Sequence, residues 1–88
     1  MNINEIKNQI VVLYYEAEKC KTSAIRYMMK RFETENEEEQ DRYYDIETEY
    51  NEKVDEIEEK IEKLAQEYGI DEEQLMFLAD VADGVREM

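Results

Sequence analysis

The apolar residues of this chain mirror one another about a short polar segment, and that mirror limits the folds open to it. Met28 and Tyr43, Ile25 and Ile46, Cys20 and Tyr50, Ala17 and Val54, Leu13 and Ile57, Ile10 and Ile61, Ile6 and Leu64, and Ile3 and Tyr68 are pairs whose residue numbers sum to 70 or 71. Two antiparallel helices turning between Glu35 and Asn36 would bring these pairs face to face. The segment at the centre suits such a turn. Lys30 and Arg31 stand where a helix C-terminus favours positive charge, and Asn36 followed by three glutamates suits a helix N-terminus. Glu39 is placed to reach back to Asn36 as a capping-box partner. The expected fold class is all-α: a coiled-coil-like antiparallel helical hairpin, with helices over 3–32 and 37–68 and a tip loop over 33–36. One competing reading exists. No Pro or Gly occurs before residue 69, so a continuous helix of about 65 residues, paired with a second copy, would satisfy the same pattern.

Composition supports helices. The chain has 88 residues, 41% of them charged, with no proline and two glycines, which favours long helices over strands and linkers. A single domain of this size buries only about 60% of its unfolded surface and often leans on a partner. The formal charge of −14 is unevenly spread. Residues 1–32 carry Glu5, Glu16 and Glu18 against Lys7, Lys19, Lys21, Arg26, Lys30 and Arg31, while the rest is strongly acidic. The two arms of the hairpin therefore attract each other. An acidic chain repels phosphate, so direct contact with nucleic acid or an anionic membrane is disfavoured, and a protein with a basic surface becomes the expected partner. Cys20 is the single cysteine, which excludes an internal disulfide and fits a reducing, cytoplasmic setting. No apolar run approaches the roughly 18 residues of a membrane span, and no signal-peptide pattern is visible.

The first helix is capped by Asn2, with Glu5 three residues on. Ile3, Ile6, Ile10, Leu13, Ala17, Cys20, Ala24 and Tyr27 follow a strict 3,4 spacing, the seam of a coiled coil. Val11, Val12, Tyr14, Tyr15, Ile25, Met28, Met29 and Phe32 lie beside that seam. The first helix thus expects two neighbours. We assign Val11, Val12, Tyr14, Tyr15 and Met29 to self-association, with a homodimer as the expected oligomer. The second helix turns Tyr43, Ile46, Tyr50, Val54, Ile57, Ile61, Leu64 and Tyr68 inward.

Gly69 is positioned as a left-handed helix stop. Asp71 and Gln74 form a capping-box start, and Ile70 and Leu75 form a hydrophobic staple. A short third helix is expected over 72–83, ended by Gly84. At about 18 Å it reaches only the base of the hairpin, near Ile3, Ile6, Ile10 and Leu64. The stretch from Leu64 to Leu78 resembles the helix-turn-helix pattern, with a turn glycine and apolar positions at its spacings. Where that family presents basic residues to the groove, this chain has Asp71, Glu72, Glu73, Asp80 and Asp83. Charge contradicts groove reading, so the stretch reads as a structural corner.

Chemistry leaves few options. With no histidine and one cysteine, ordinary zinc sites, thiol–imidazole catalysis and bundle di-iron sites are excluded. No phosphate loop or EF-hand spacing occurs. No enzyme activity and no cofactor are expected. One constellation stands out on the second helix. Glu38, Asp41, Asp45, Glu49, Glu52, Glu56 and Glu59 recur every three or four residues and form one acidic stripe. It extends about 31 Å, a carboxylate every 5 Å or so, against about 3.4 Å per phosphate in a DNA strand. It is a sparse imitation of a phosphate row. The expected function is an inhibitor or regulator that presents this stripe to the basic groove of a nucleic-acid-handling protein. In size, charge and helicity the chain is similar to short phage anti-restriction and anti-CRISPR proteins, with no shared motif. The alternative is a helical homodimerisation or assembly module whose acidity provides solubility alone.

Overall fold

A computed structural model describes residues 2–87, with side chains through Gly84. It contains three helices: α1 Ile3–Glu33, α2 Glu37–Tyr68 and α3 Glu72–Glu87. α1 and α2 form the antiparallel hairpin, and α3 packs back onto α1. A continuous helix through the tip is not formed.

Local chemistry fixes each boundary. Asn2 starts α1 by accepting the Glu5 amide at 2.9 Å. The cap of α2 differs from expectation in one contact. Asn36 Oδ1 accepts the amides of Glu38 at 2.9 Å and Glu39 at 3.3 Å, but the Glu39 carboxylate does not return to the Asn36 amide. It accepts the Thr34 hydroxyl at 2.8 Å, and Thr34 Oγ1 in turn accepts the Asn36 amide at 3.3 Å. The hydroxyl acts as a relay because Thr34, extended at φ −92° and ψ 143°, stands between the two groups. Gln40 Nε2 donates to the Thr34 carbonyl at 2.8 Å, tying α2 back to the end of α1.

Gly69 takes φ 69° and ψ 34°, a left-handed conformation that costs an L-residue about 1–2 kcal/mol. The Gly69 and Ile70 amides both donate to the Ala65 carbonyl, which closes α2. The capping box beyond it forms as expected: the Gln74 amide donates to Asp71 Oδ1 at 2.9 Å, and the Asp71 amide donates to Gln74 Oε1 at 3.3 Å. Gly84 does not stop α3. It stays helical without a positive φ, and the helix runs on to Glu87. A glycine ends a helix only where the chain must turn, and in a straight helix it costs about 1 kcal/mol.

The core lies at the base of the hairpin. Ile6, Ile10, Ile61, Ala65, Ile70 and Leu78 are buried together, with Val11, Leu13, Tyr14, Ile57, Leu64 and Leu75 packed around them. Ile3 and Tyr68, expected to close the seam, are exposed at its end. Towards the tip the helices meet through larger, half-buried groups. Tyr27 stacks on Tyr50 at 6.0 Å and tilts against Tyr43 at 6.1 Å. Tyr50 therefore has an aromatic partner where Cys20 was expected. Ile25 is 54% exposed and lies off the seam. The Tyr27–Tyr43 contact has a residue-number sum of 70, as the sequence register expects, while Tyr27–Tyr50, Arg31–Glu47 and Lys21–Glu58 have sums of 77, 78 and 79. Side chains lean toward the N-terminus of their own helix. In an antiparallel pair those leans oppose each other, so long side chains meet partners further along both helices.

Two substitutions check this account by urea unfolding followed by far-ultraviolet circular dichroism. Ile10 is fully buried, and Ile10→Ala should cost about 2–5 kcal/mol. Gly69→Ala meets no neighbouring atom within 4 Å, so it should cost only the backbone strain, about 1–2 kcal/mol.

Candidate protein-binding surface

The acidic stripe is built by α2, which runs for 32 residues without a break. Glu38, Asp41, Asp45, Glu49, Glu52, Glu56 and Glu59 are all exposed. None of them is among the ion pairs, which use Glu18, Glu47 and Glu58 instead. Glu47 and Glu58 lie on a different side of α2, facing α1. The hairpin's attraction between its arms therefore leaves the stripe's charge uncompensated by ion pairing.

The stripe has two unlike edges at 100° per residue. Glu37, Asp55 and Glu62 extend it on one side, while Arg42, Lys53 and Lys60 border it on the other. Each of these basic residues follows a stripe glutamate by four positions, the spacing that supports a helix in water. None closes to an ion pair. Lys53 lies instead over the Tyr50 ring, 5.2 Å from its centroid. Near Glu56, a shallow depression of about 310 Å³ gathers Glu16, Lys19, Cys20, Lys53, Ile57 and Lys60.

Two cross-links hold α2 in place beneath its charge. Lys21 and Glu58 pair at 3.6 Å with both side chains well exposed, a contact worth at most about 1 kcal/mol. Arg31 and Glu47 approach to 3.5 Å in a more sheltered position near the tip. Arg31 Nε and Glu47 Oε2 make no hydrogen bonds. The guanidinium also rests against the rings of Tyr44 at 5.1 Å and Phe32 at 5.2 Å, contacts that suit a planar cation.

The residues assigned to self-association are separated by the fold. Val11 and Tyr14 pack against the core formed with α3, and Tyr15 is half-buried with Lys19 over its ring at 5.3 Å. Val12 and Met29 are exposed. The second neighbour of α1 is thus α3 for the base half. Other exposed apolar groups were not assigned to self-association, namely Ile25 and Phe32, which were placed beside the seam, and Tyr44, Met76, Phe77 and Val81. A signal was present for two of them, because Ile25 and Phe32 continue from Val11 at intervals of seven.

Among the described residues no cluster of three or more acidic or cysteine side chains has the geometry to hold a metal. No helix there is long and apolar enough to cross a membrane. The surface depressions, such as that lined by Lys21, Ala24, Ile25, Met28, Glu47 and Asn51, are open troughs of a few hundred cubic ångströms. Tyr14 titrates away from its ordinary value. Burial raises its pKa above the ordinary tyrosine value, the nearby Glu58 carboxylate adds to the rise, and Lys21 opposes it. Comparison with protein-family models, curated proteins and solved structures finds no match for this chain.

Because the raised pKa means that the fold favours neutral Tyr14, its contribution is held below the ordinary tyrosine pKa. It is lost as pH rises through the raised value. Urea midpoints should therefore fall above about pH 10, and they should fall less in Tyr14→Phe.

Proposed function

We propose that this chain is a non-enzymatic acidic helical protein that binds another protein, presenting the outer face of α2 to a basic groove that otherwise holds nucleic acid. One observation carries this reading: seven exposed carboxylates stand on a single unbroken helix, and none is spent on an ion pair. Keeping like charges together on one face raises their mutual repulsion. A basic channel relieves that repulsion and releases the counterions held on both surfaces. The chain then acts as an inhibitor or regulator of a nuclease, polymerase or repressor, in the manner of phage anti-restriction and anti-CRISPR proteins. A cytoplasmic location belongs to the same reading.

A second reading is favoured by a different observation. Large apolar side chains on α1 and α3 are more than half exposed, among them Phe32, Met76 and Phe77. On that reading the chain is an assembly module and its acidity confers solubility. Phosphate recognition by the chain itself is disfavoured by its net charge of −14.

Reversal of Asp45, Glu49, Glu52 and Glu56 to lysine decides between the two. Exposed charges contribute little to folding, so circular dichroism should remain helical. Wild-type protein should retain basic nucleic-acid-binding proteins from a host lysate, release them as salt rises, and yield them to added duplex DNA. The reversed protein should retain none of them. Unchanged binding and unchanged salt dependence would reduce the stripe to a solubilising face.

A further inference from the structure

The apolar stripe of α1 that α3 covers does not end where α3 ends. Lys7, Val11, Tyr14 and Glu18 lead by steps of three and four to Thr22, Ile25, Met29 and Phe32, a single line on one side of the helix. At the base, Val11 and Tyr14 lie in the core shared with α3. At the tip, Ile25 and Met29 are each 54% exposed and Phe32 is 75% exposed. The open part of the line, from Glu18 to Phe32, is about 21 Å long, close to the length of about 24 Å for a helix the size of α3.

α3 has its own uncovered apolar face. Leu78 and Ala82 are buried toward the hairpin, while Met76 and Phe77 are 69% and 66% exposed and Val81 is 38% exposed. The charges set among the two apolar groups differ in sign. Arg26 and Lys30 stand beside Ile25 and Met29, and with Thr22 and Glu33 they line a depression of about 380 Å³. At 100° per residue Glu73 and Asp80 stand between Met76 and Phe77 on α3, and Asp83 stands beside Met76, all of them exposed. One chain therefore carries apolar groups beside two basic residues at its tip and apolar groups interleaved with acidic residues at its base.

We propose that a second copy of this chain is the occupant of both patches. Ile25, Met29 and Phe32 of each copy receive Met76, Phe77 and Val81 of the other, in an antiparallel two-fold dimer. Two-fold symmetry makes both contacts at once, because each copy offers its tip to the partner's base and its base to the partner's tip. The shape follows the same logic. The hairpin has three helices at its base and two at its tip, and the outward face of one copy's α3 enters the recess beside the other copy's tip. Opposite charges set among the apolar groups of two facing surfaces fix their register and select the partner. The interface uses no residue of the acidic stripe, so it stands or falls apart from the reading of α2.

Sedimentation velocity over a concentration series tests it. Wild-type protein should dimerise, and Met29→Glu and Phe77→Glu should each weaken the dimer by about tenfold or more while helicity is retained. Val12→Glu, on an exposed position outside both patches, should leave the dimer intact. Reversing the tip charges with Arg26→Glu and Lys30→Glu should weaken association. Adding Glu73→Lys and Asp80→Lys to the same chain should restore it. A wild-type protein that stays monomeric, or a dimer indifferent to both Met29→Glu and Phe77→Glu, overturns the proposal.

Discussion

Helix α1 carries more apolar surface than one neighbouring helix can cover, and the rest of the fold is arranged around that excess. The hairpin satisfies the seam through Ile6, Ile10 and Ala17. The second stripe, through Val11 and Tyr14, needs another cover, and the corner at Gly69 supplies it by turning α3 back onto α1. Ile70, the first residue beyond the corner, is itself buried in the core. The left-handed glycine and the packing of α3 are thus one device. Without the turn, half-buried Val11 and Tyr14 and buried Ile70 would face water, at a cost of about 1.5–3 kcal/mol for Ile70 and less for the other two.

The architecture was legible in the sequence because its determinants are local. Asn2, Asn36, and Asp71 with Gln74 cap helices through hydrogen bonds spanning two or three residues, and such contacts depend on little else. Gly69 was legible for the same reason. What escaped depended on directions that residue spacing does not carry. A mirror of residue numbers gives the register of two backbones, yet Tyr27 meets Tyr50 because both side chains lean toward their own N-termini. Glu39 was expected at Asn36 and lies on Thr34, since the position of a hydroxyl in a tight turn depends on the turn's own geometry. Gly84 was read as a stop from identity alone, and it sits inside α3 with helical backbone. Of the candidate surface, the solvent exposure of all seven stripe residues was readable from periodicity. The division of the apolar residues of α1 into covered and uncovered sets was not, because it depends on how far α3 reaches.

Charge in this molecule is sorted as well as abundant. Six of the eleven basic residues lie on α1, where Lys21 and Arg31 bind α2 through Glu58 and Glu47, and Lys30 lies over the rings of Tyr27 and Tyr43. The carboxylates that neutralise them come from the inner sides of α2. The outer side keeps its full charge, and at −14 overall the chain holds that face against its own repulsion with apolar packing. This separation gives one helix two roles: an inner surface that folds the hairpin and an outer surface available to a partner.

The uneven placement of the core also sets how the molecule breathes. Every buried side chain of α2 lies from Val54 onward, and in α1 only Ala24 is buried in the half nearest the tip. Packing of that kind makes opening a graded event. Amide protons near Ile6, Ile10 and Ile61 are then expected to be the slowest to exchange, and those flanking the turn the fastest. The acidic row crosses this gradient, anchored at Glu56 and Glu59 over the firm base and looser toward Glu38. On the proposed function, a rigid groove would meet a row that is firmer at Glu56 and Glu59 than at Glu38.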